Sequence, residues 1–355
     1  MWFGGNMILK GSLQVGELTG FMSYVLQVMN SLMMISNVFL LLTRSLASAR
    51  RISEVLEETP AFSSPEGAYT QVEDGGVEFR HVSFRYGNAE DDVLHDITFT
   101  AEPGQTTAFI GSTGSGKSTL VSLLPRLYDA TAGAVEVMGV DVRSWPLGQL
   151  RRAVSIVPQK AELVSGTIRS NLLWRDAGAD DAELWSALEA AQAAEFVRAL
   201  PDGLDARVEA GGANFSGGQR QRLTIARALV GAPEVLILDD SSSALDFKTD
   251  AALRAAIRGL ARTAATRSGL PLTCVIVSQR VSSVRDADQI CVMSHGRAVG
   301  LGPHAQLMEG CVLYREICAS QLSEAEMSAV GAGGPAAEPC RPGRRTMEGD
   351  ECRDA

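Results

Sequence analysis

The sequence predicts an α/β fold with a mixed central sheet and an antiparallel β layer, preceded by one membrane-spanning helix. Three features lead there. The runs VLIL (235–238) and CVIV (274–277) are apolar without a break, as parallel strands covered on both faces are. The earlier segments VEFRHVSF (77–84) and ITFT (97–100) alternate, which suits an antiparallel layer at the edge of the fold. Ahead of both, residues 18–42 contain no charge, and as a helix they span roughly 37 Å, enough to cross a bilayer with tilt.

The apolar segment takes its orientation from its flanks. Lys10 and Glu17 precede it, and Arg44, Arg50 and Arg51 follow, which puts the downstream side in the cytoplasm. A signal peptide would be shorter and would carry its positive charge first. Ser23, Gln27, Asn30 and Asn37 share an arc of roughly 80° at helical spacing. That polar stripe suits a solute path or hydrogen bonds to neighbouring helices better than lipid. Leu42, Leu46, Ala49, Ile52 and Leu56 carry the helical period past the arginines, and Pro60 ends it.

Residues 60–75 read as a linker, and residues 76–322 as the mixed domain. Its further strand candidates are TTAFIG, AVSIVP, VLILD and TCVIVS, with helices over 180–198 and 217–230. Residues 323–355 are Gly, Ala, Pro and charge without periodicity, and read as a disordered tail. The 355 residues carry a net charge of −10, which argues against a general nucleic-acid binder. None of the six cysteines forms a C-x-x-C pair, so free thiols in a reducing compartment are expected. The four histidines lack metal-ligand spacing.

The chemistry starts at GSTGSGKST (111–119), a G-x-x-x-x-G-K-[ST] match between a strand, TTAFI, and a helix, KSTLVSLLPRL. Gly111, Gly114 and Gly116 let the backbone of Ser112, Thr113, Ser115 and Thr119 fold into a cup of N–H donors around phosphates. The helix N-terminus adds its partial positive charge. Lys117 reaches the outer phosphates, and Ser118 ligates Mg²⁺. A second glycine pair, Gly217 and Gly218 in NFSGGQRQRLTIARAL, opens an amphipathic helix and forms another candidate anion site. The first site already holds its own phosphates, so the second suggests a nucleotide shared with another chain.

These residues resemble the nucleotide-binding domain of an ATP-binding cassette (ABC) transporter of the exporter type, over nearly all of residues 76–322. The resemblance implies the ABC form of the P-loop fold, with a helical signature subdomain, and ATP with Mg²⁺ as ligands. FSGGQ is similar to the family signature, with Phe215 where leucine is usual. By the same resemblance Tyr86 stacks on adenine, and Gln159 senses Mg²⁺ and contacts the membrane domain. Ser216, Gly217, Gly218 and Gln219 touch the γ-phosphate held by a partner's P-loop. Asp239 holds Mg²⁺ through water, and Asp246 lies at the dimer seam. Residues 1–59 look like the last transmembrane region of an exporter half. One spanning helix is short of the roughly six the resemblance implies, so an internal start or a fragment is expected.

Two positions depart from the family pattern. Asp240 stands where a catalytic glutamate is usual, and its carboxylate falls short by about 1.5 Å. Gln279 stands where a histidine touches the γ-phosphate; its amide donates a hydrogen bond but carries no proton. Together with Lys117, these are the candidate catalytic groups. The combination resembles the impaired half of a heterodimeric exporter, which donates a sound signature to its partner. The expectation is a slow ATPase subunit in the inner or plasma membrane, its nucleotide domain cytoplasmic. It would move a small molecule, lipid or peptide with a second exporter half and without nucleic acid. The rivals are a homodimer with a slow Asp240, a nucleotide-gated regulatory subunit without turnover, and a soluble ABC ATPase. The acidic balance and the apolar segment count against the last.

Overall fold

The charge-free run at 18–42 lies inside a single helix. The structure is a computed structural model and describes residues 2–58, 75–87, 89–241, 244–262 and 266–321. Apart from Gly75, the expected linker over 60–75 lies outside the described residues, as does the expected tail over 323–355 with Cys340 and Cys352. The chain divides into two units, residues 1–63 and 64–355.

The first unit holds α1 (Trp2–Leu9) and α2 (Val15–Glu57), the latter 43 residues long. At 1.5 Å per residue α2 extends about 65 Å, twice the depth of a bilayer's hydrocarbon core. Span and extension past the arginines are therefore one continuous rod. By length and composition α2 could cross a membrane, and none of its apolar window is buried within the chain. Such a surface needs lipid or other helices to cover it. Thr19, Ser23, Ser31, Ser36 and Thr43 donate to carbonyls three or four residues back at 2.9–3.1 Å, which satisfies them without water. The amides of Gln27, Asn30 and Asn37 find no such partner among the described residues.

The second unit begins with β1 (Val77–Phe84), β2 (Leu94–Ala101), β3 (Thr106–Ile110), α3 (Lys117–Ser122), β4 (Ala132–Val137) and β5 (Val140–Asp141). It continues with α4 (Leu147–Ala153), β6 (Val154–Val157), β7 (Gly166–Thr167), α5 (Ile168–Leu172), α6 (Asp181–Ala190), α7 (Ala194–Arg198) and β8 (Arg207–Val208). Then follow α8 (Gly217–Leu229), β9 (Val235–Asp239), α9 (Phe247–Ala261), β10 (Thr273–Val277) and α10 (Val281–Val284). The last elements are β11 (Gln289–Ser294), β12 (Arg297–Gly302), α11 (His304–Gly310) and α12 (Val312–Gln321).

Strands β2-β1-β4-β5 form the antiparallel layer, and β12-β11-β3-β10-β9-β6 the central sheet, parallel except for β12 at its edge. The unbroken apolar runs are explained by cover on both faces. Along β9, Val235 and Ile237 pack with Phe79, Phe99 and Phe109 towards the antiparallel layer. Leu236 and Leu238 point the other way, into a core shared with Leu184, Leu223 and Phe215 of the helical part. Phe79 stacks on Phe99 at 4.7 Å, and Phe99 meets Phe109 edge-on at 5.0 Å, tying the two sheets together. Cys274, Cys291, Cys311 and Cys318 are buried free thiols.

Two helices differ from the sequence reading. The segment 180–198 is two helices, because Gln192 adopts φ 57 and Ala193 bonds back to Leu188 at 2.7 Å. The helix after Lys117 stops at Ser122, ahead of Pro125, whose ring disfavours helical geometry at the preceding residue.

Candidate functional site

The parallel register brings distant residues to one edge. Asp239 lies beside Val277, Val277 beside Phe109, and Leu238 beside Val157. The chain leaving these four strands therefore delivers Asp240, Gln279, Gly111 and Gln159 to the carboxyl end of the sheet, where α/β folds receive ligands. A cavity of about 250 Å³ opens there, lined by Lys117, Ser118, Gln159, Asp239, Asp240 and Gln279, together with Thr113, Gly114, Gly116 and Thr119. One cavity thus gathers most of the residues expected to hold phosphates and metal.

The glycines have specific reasons. A Cβ on Gly111 would lie 2.1 Å from the Met293 carbonyl oxygen, so only glycine lets the loop pass β11. Gly116 combines φ 95 with Leu94 2.7 Å from the place of a Cβ. Lys117 is buried, and its Nζ donates to the carbonyls of Gly111 at 2.9 Å and Ser112 at 2.7 Å, and to Ser115 Oγ at 3.1 Å. The ammonium spans the mouth of the loop from inside. Burial pushes its pKa down, against the opposing pull of Asp239 and Asp240.

Beside it, Ser118 Oγ donates to Asp239 Oδ1 at 2.9 Å. Burial pushes the Asp239 carboxyl up; the Ser118 hydrogen bond opposes this, and the charge of Asp240 adds to it. A hydroxyl next to a crowded carboxylate is a donor set that suits a hard divalent cation. Among the described residues no group of three or more His, Cys, Asp or Glu could hold a metal alone. Mg²⁺ binds through one or two protein oxygens plus phosphate oxygens and water, and Ser118 and Asp239 are the protein oxygens that would serve it here.

The two departing residues are held in place. Asp240 Oδ2 accepts from Gln159 Nε2 at 3.0 Å, and the Asp240 backbone N–H donates to the Val277 carbonyl at 2.8 Å with φ 45. Gln279 Oε1 accepts from Thr113 Oγ1 at 3.3 Å. Tyr86 bonds to Thr119 Oγ1 at 2.9 Å, and its half-exposed ring meets Phe84 and Tyr128 edge-on at 4.8 and 5.1 Å. Tyr128 and the cavity-lining Val93 were not singled out from sequence. Tyr128 comes directly after the segment KSTLVSLLPRL read as helix and carries no motif of its own.

The second glycine pair stands apart. Ser216 caps α8, accepting from the Gln219 N–H at 3.3 Å, while the Gln219 side chain accepts from the Ser216 N–H at 2.9 Å. Ser216 and Gly217 are exposed, and none of residues 216–219 lines the phosphate cavity. Phe215 is buried against the helical core and meets Phe196 at 6.4 Å. Asp246 is exposed at the N-cap of α9, accepting from the Thr249 N–H at 2.9 Å and its hydroxyl at 2.8 Å.

A glycine cup, a buried lysine and a serine–aspartate pair at the carboxyl edge of a parallel sheet define a P-loop nucleotide-binding domain. The comparisons narrow the class. The family model described as ABC transporter matches residues 94–243. An uncharacterised ABC transporter ATP-binding protein of Mycobacterium bovis is 44% identical over 336 residues, covering 93% of this chain and 56% of its own length. An ATP-dependent lipid A-core flippase of Aromatoleum aromaticum is 36% identical over 324 residues, covering 91% of this chain and 52% of its own. The structure of a bacterial Atm1-family ABC exporter with ATP bound matches with a TM-score of 0.73 at 31% identity, covering 88% of this chain and 54% of that one. The chain belongs to the ABC transporter family through its ATP-binding domain and is homologous to exporter-type half-transporters. It spans about half the length of the relatives it matches.

Proposed function

We propose that this chain is the ATP-binding part of an exporter half that holds MgATP between its own P-loop and the signature helix of a second half. One observation carries the reading. The phosphate cavity at the sheet edge lacks residues 216–219, while that exposed helix N-terminus has no phosphate source in its own chain. Two copies of the fold, or two related halves, complete each other.

In this assembly Lys117 and the loop amides bind the β- and γ-phosphates, and Ser118 and Asp239 take Mg²⁺. Tyr86 offers its ring to adenine, and Asp240 receives the attacking water beside Gln159. Asp240 is short of the water by about one C–C bond, and Gln279 cannot become cationic, so turnover at this site is slow. The partner half, carrying Glu and His at the matching positions, does most of the hydrolysis. Binding draws the domains together, and hydrolysis at the better site releases them, driving export of a small molecule, lipid or peptide. The arginines after the apolar window of α2 support a cytoplasmic nucleotide domain on a cell membrane.

The test is phosphate release by the full chain assembled with its partner half in detergent. Asp240→Ala should leave most turnover intact, and inactivating the partner's catalytic glutamate should remove it. Complete loss of turnover in Asp240→Ala, with the partner untouched, overturns the asymmetric reading. Failure of the wild-type chain to bind MgATP overturns the functional reading altogether.

A further inference from the structure

The last helix reaches back to the nucleotide site. At its C-terminal end, Gln321 Nε2 donates to the Gln279 backbone carbonyl at 2.8 Å, and Gln321 Oε1 accepts from the Val281 N–H at 2.9 Å. A primary amide can donate and accept at once, and here it brackets the turn that presents Gln279. Val281 is the first residue of α10, whose N–H groups have no partner within the helix. Arg280, at the N-cap position, makes no side-chain cap. Gln321 supplies that cap from forty residues further along the chain.

The sequence of α12 sets this geometry. Tyr314, Cys318 and Gln321 fall at i, i+4 and i+7, one stripe of a helix. Tyr314 and Cys318 are fully buried with Val281 and Val284 of α10 and with Ile110 of β3. The Tyr314 hydroxyl is anchored to His304 Nδ1 at 2.8 Å. The buried part of the stripe thus fixes the helix, and its polar end falls on the Gln279 turn. On the other side of that turn, the Gln279 side chain meets Thr113 of the phosphate loop.

We propose that Gln321 is a positioning residue for Gln279: it holds the turn so that the Gln279 amide faces the γ-phosphate position. The assignment rests on the functional reading above, which places MgATP in this cavity. It makes α12 part of the nucleotide switch. A rise or tilt of this helix would withdraw Gln279 without touching the P-loop.

The experiment compares MgATP and MgADP binding by the full chain in detergent, read by displacement of a fluorescent nucleotide. Gln321→Ala is expected to weaken MgATP about fivefold, as loss of a hydrogen bond's worth of organisation does, and to leave MgADP unchanged. Gln321→Glu keeps the acceptor for Val281 but sets a carboxylate oxygen against the Gln279 carbonyl, and should weaken MgATP at least as much as Gln321→Ala. In a Gln279→Ala background, Gln321→Ala should weaken MgATP no further. Equal weakening of both nucleotides, no effect on either, or an additive effect in the Gln279→Ala background overturns the proposal. If Gln279→Ala itself leaves the ATP-to-ADP preference unchanged, the γ-phosphate reading fails, and this assignment with it.

Discussion

Lengthening one side chain gives the sharpest test of how this site works. In Asp240→Glu the carboxylate moves outward by one C–C bond, about 1.5 Å. The Gln159 amide that now meets Asp240 at 3.0 Å remains available as a donor to the longer group. A misplacement of about 1 Å costs on the order of a hundredfold in rate, or roughly 2.7 kcal/mol. The substitution should recover turnover of that order at this site. Its effect on stability has the opposite sign. Asp240 sits at φ 45, a conformation in which aspartate is several-fold enriched over most side chains, so glutamate should cost about 1 kcal/mol. A faster but less stable protein excludes better folding as the cause of the gain. The assay is phosphate release by the full chain assembled with a partner half whose own catalytic glutamate is removed, beside a thermal melt. Unchanged turnover in Asp240→Glu would refute the argument from reach. So would wild-type turnover already matching the assembly with an intact partner.

Three further outcomes are expected. Gly114→Ala and Gly116→Ala both force a left-handed conformation (φ 80 and 95), costing about 1–2 kcal/mol. A Cβ on Gly116 also meets Leu94 at 2.7 Å, whereas one on Gly114 meets nothing within 4 Å, so urea unfolding should find Gly116→Ala worse by about 1–3 kcal/mol. The Thr249 N–H, and then its hydroxyl, hold the Asp246 carboxyl below the usual carboxylate range. The ionised cap's stabilisation is complete above the unfolded pKa of about 3.9 and is lost as pH falls through the lower folded value, so the melting deficit of Asp246→Ala should shrink below about pH 4. Gly217 is exposed, and a Cβ there meets nothing within 4 Å. Gly217→Asp should therefore stabilise the start of α8 by about 0.3–1 kcal/mol while repelling the shared phosphate. Melts of the chain should rise slightly as turnover of the assembly falls, and undiminished turnover would place α8 away from the nucleotide.

The legible parts were those written in local pattern. VLILD and TCVIV run to the ends of β9 and β10, because strands covered on both faces must be apolar at every position. VEFRHVSF is β1 from end to end. The P-loop was legible from its motif spacing between a strand and a helix, although the neighbours that press on Gly111 and Gly116, Met293 and Leu94, lie far from them in sequence. The break at Gln192 was not legible, since neither Gly nor Pro marks it and a non-glycine residue takes the positive φ. The hairpin of β11 and β12 turns through His295 and Gly296, both at positive φ, where only the glycine is a turn signal. The Gln321 contact was out of reach, because a side chain's hydrogen bond to backbone forty residues away leaves no periodic trace. Nor does sequence reveal that Gln159 and Asp240 meet, although β6 and β9 are adjacent strands.

Binding and turnover draw on different atoms in this cavity. In the proposed assembly the ground state would be held by the loop amides, Lys117 and the Ser118–Asp239 pair, and here Lys117 already bonds to the loop and Ser118 to Asp239. The transition state needs more: a carboxylate that reaches the water and a donor that can take positive charge as the γ-phosphate leaves. Both family departures fall on that second set, and neither falls on the first. A site decaying at random would lose grip and turnover together, since a glycine exchanged at position 111 or 116 would collide with its neighbours. Asp240 and Gln279 are instead each held by a specific donor, Gln159 and Thr113. Retained grip with reduced reach, as proposed for this site, is the arrangement a nucleotide clamp would need. On the asymmetric reading proposed above, ATP at this site would join two domains for longer than one catalytic cycle while the opposite site sets the pace.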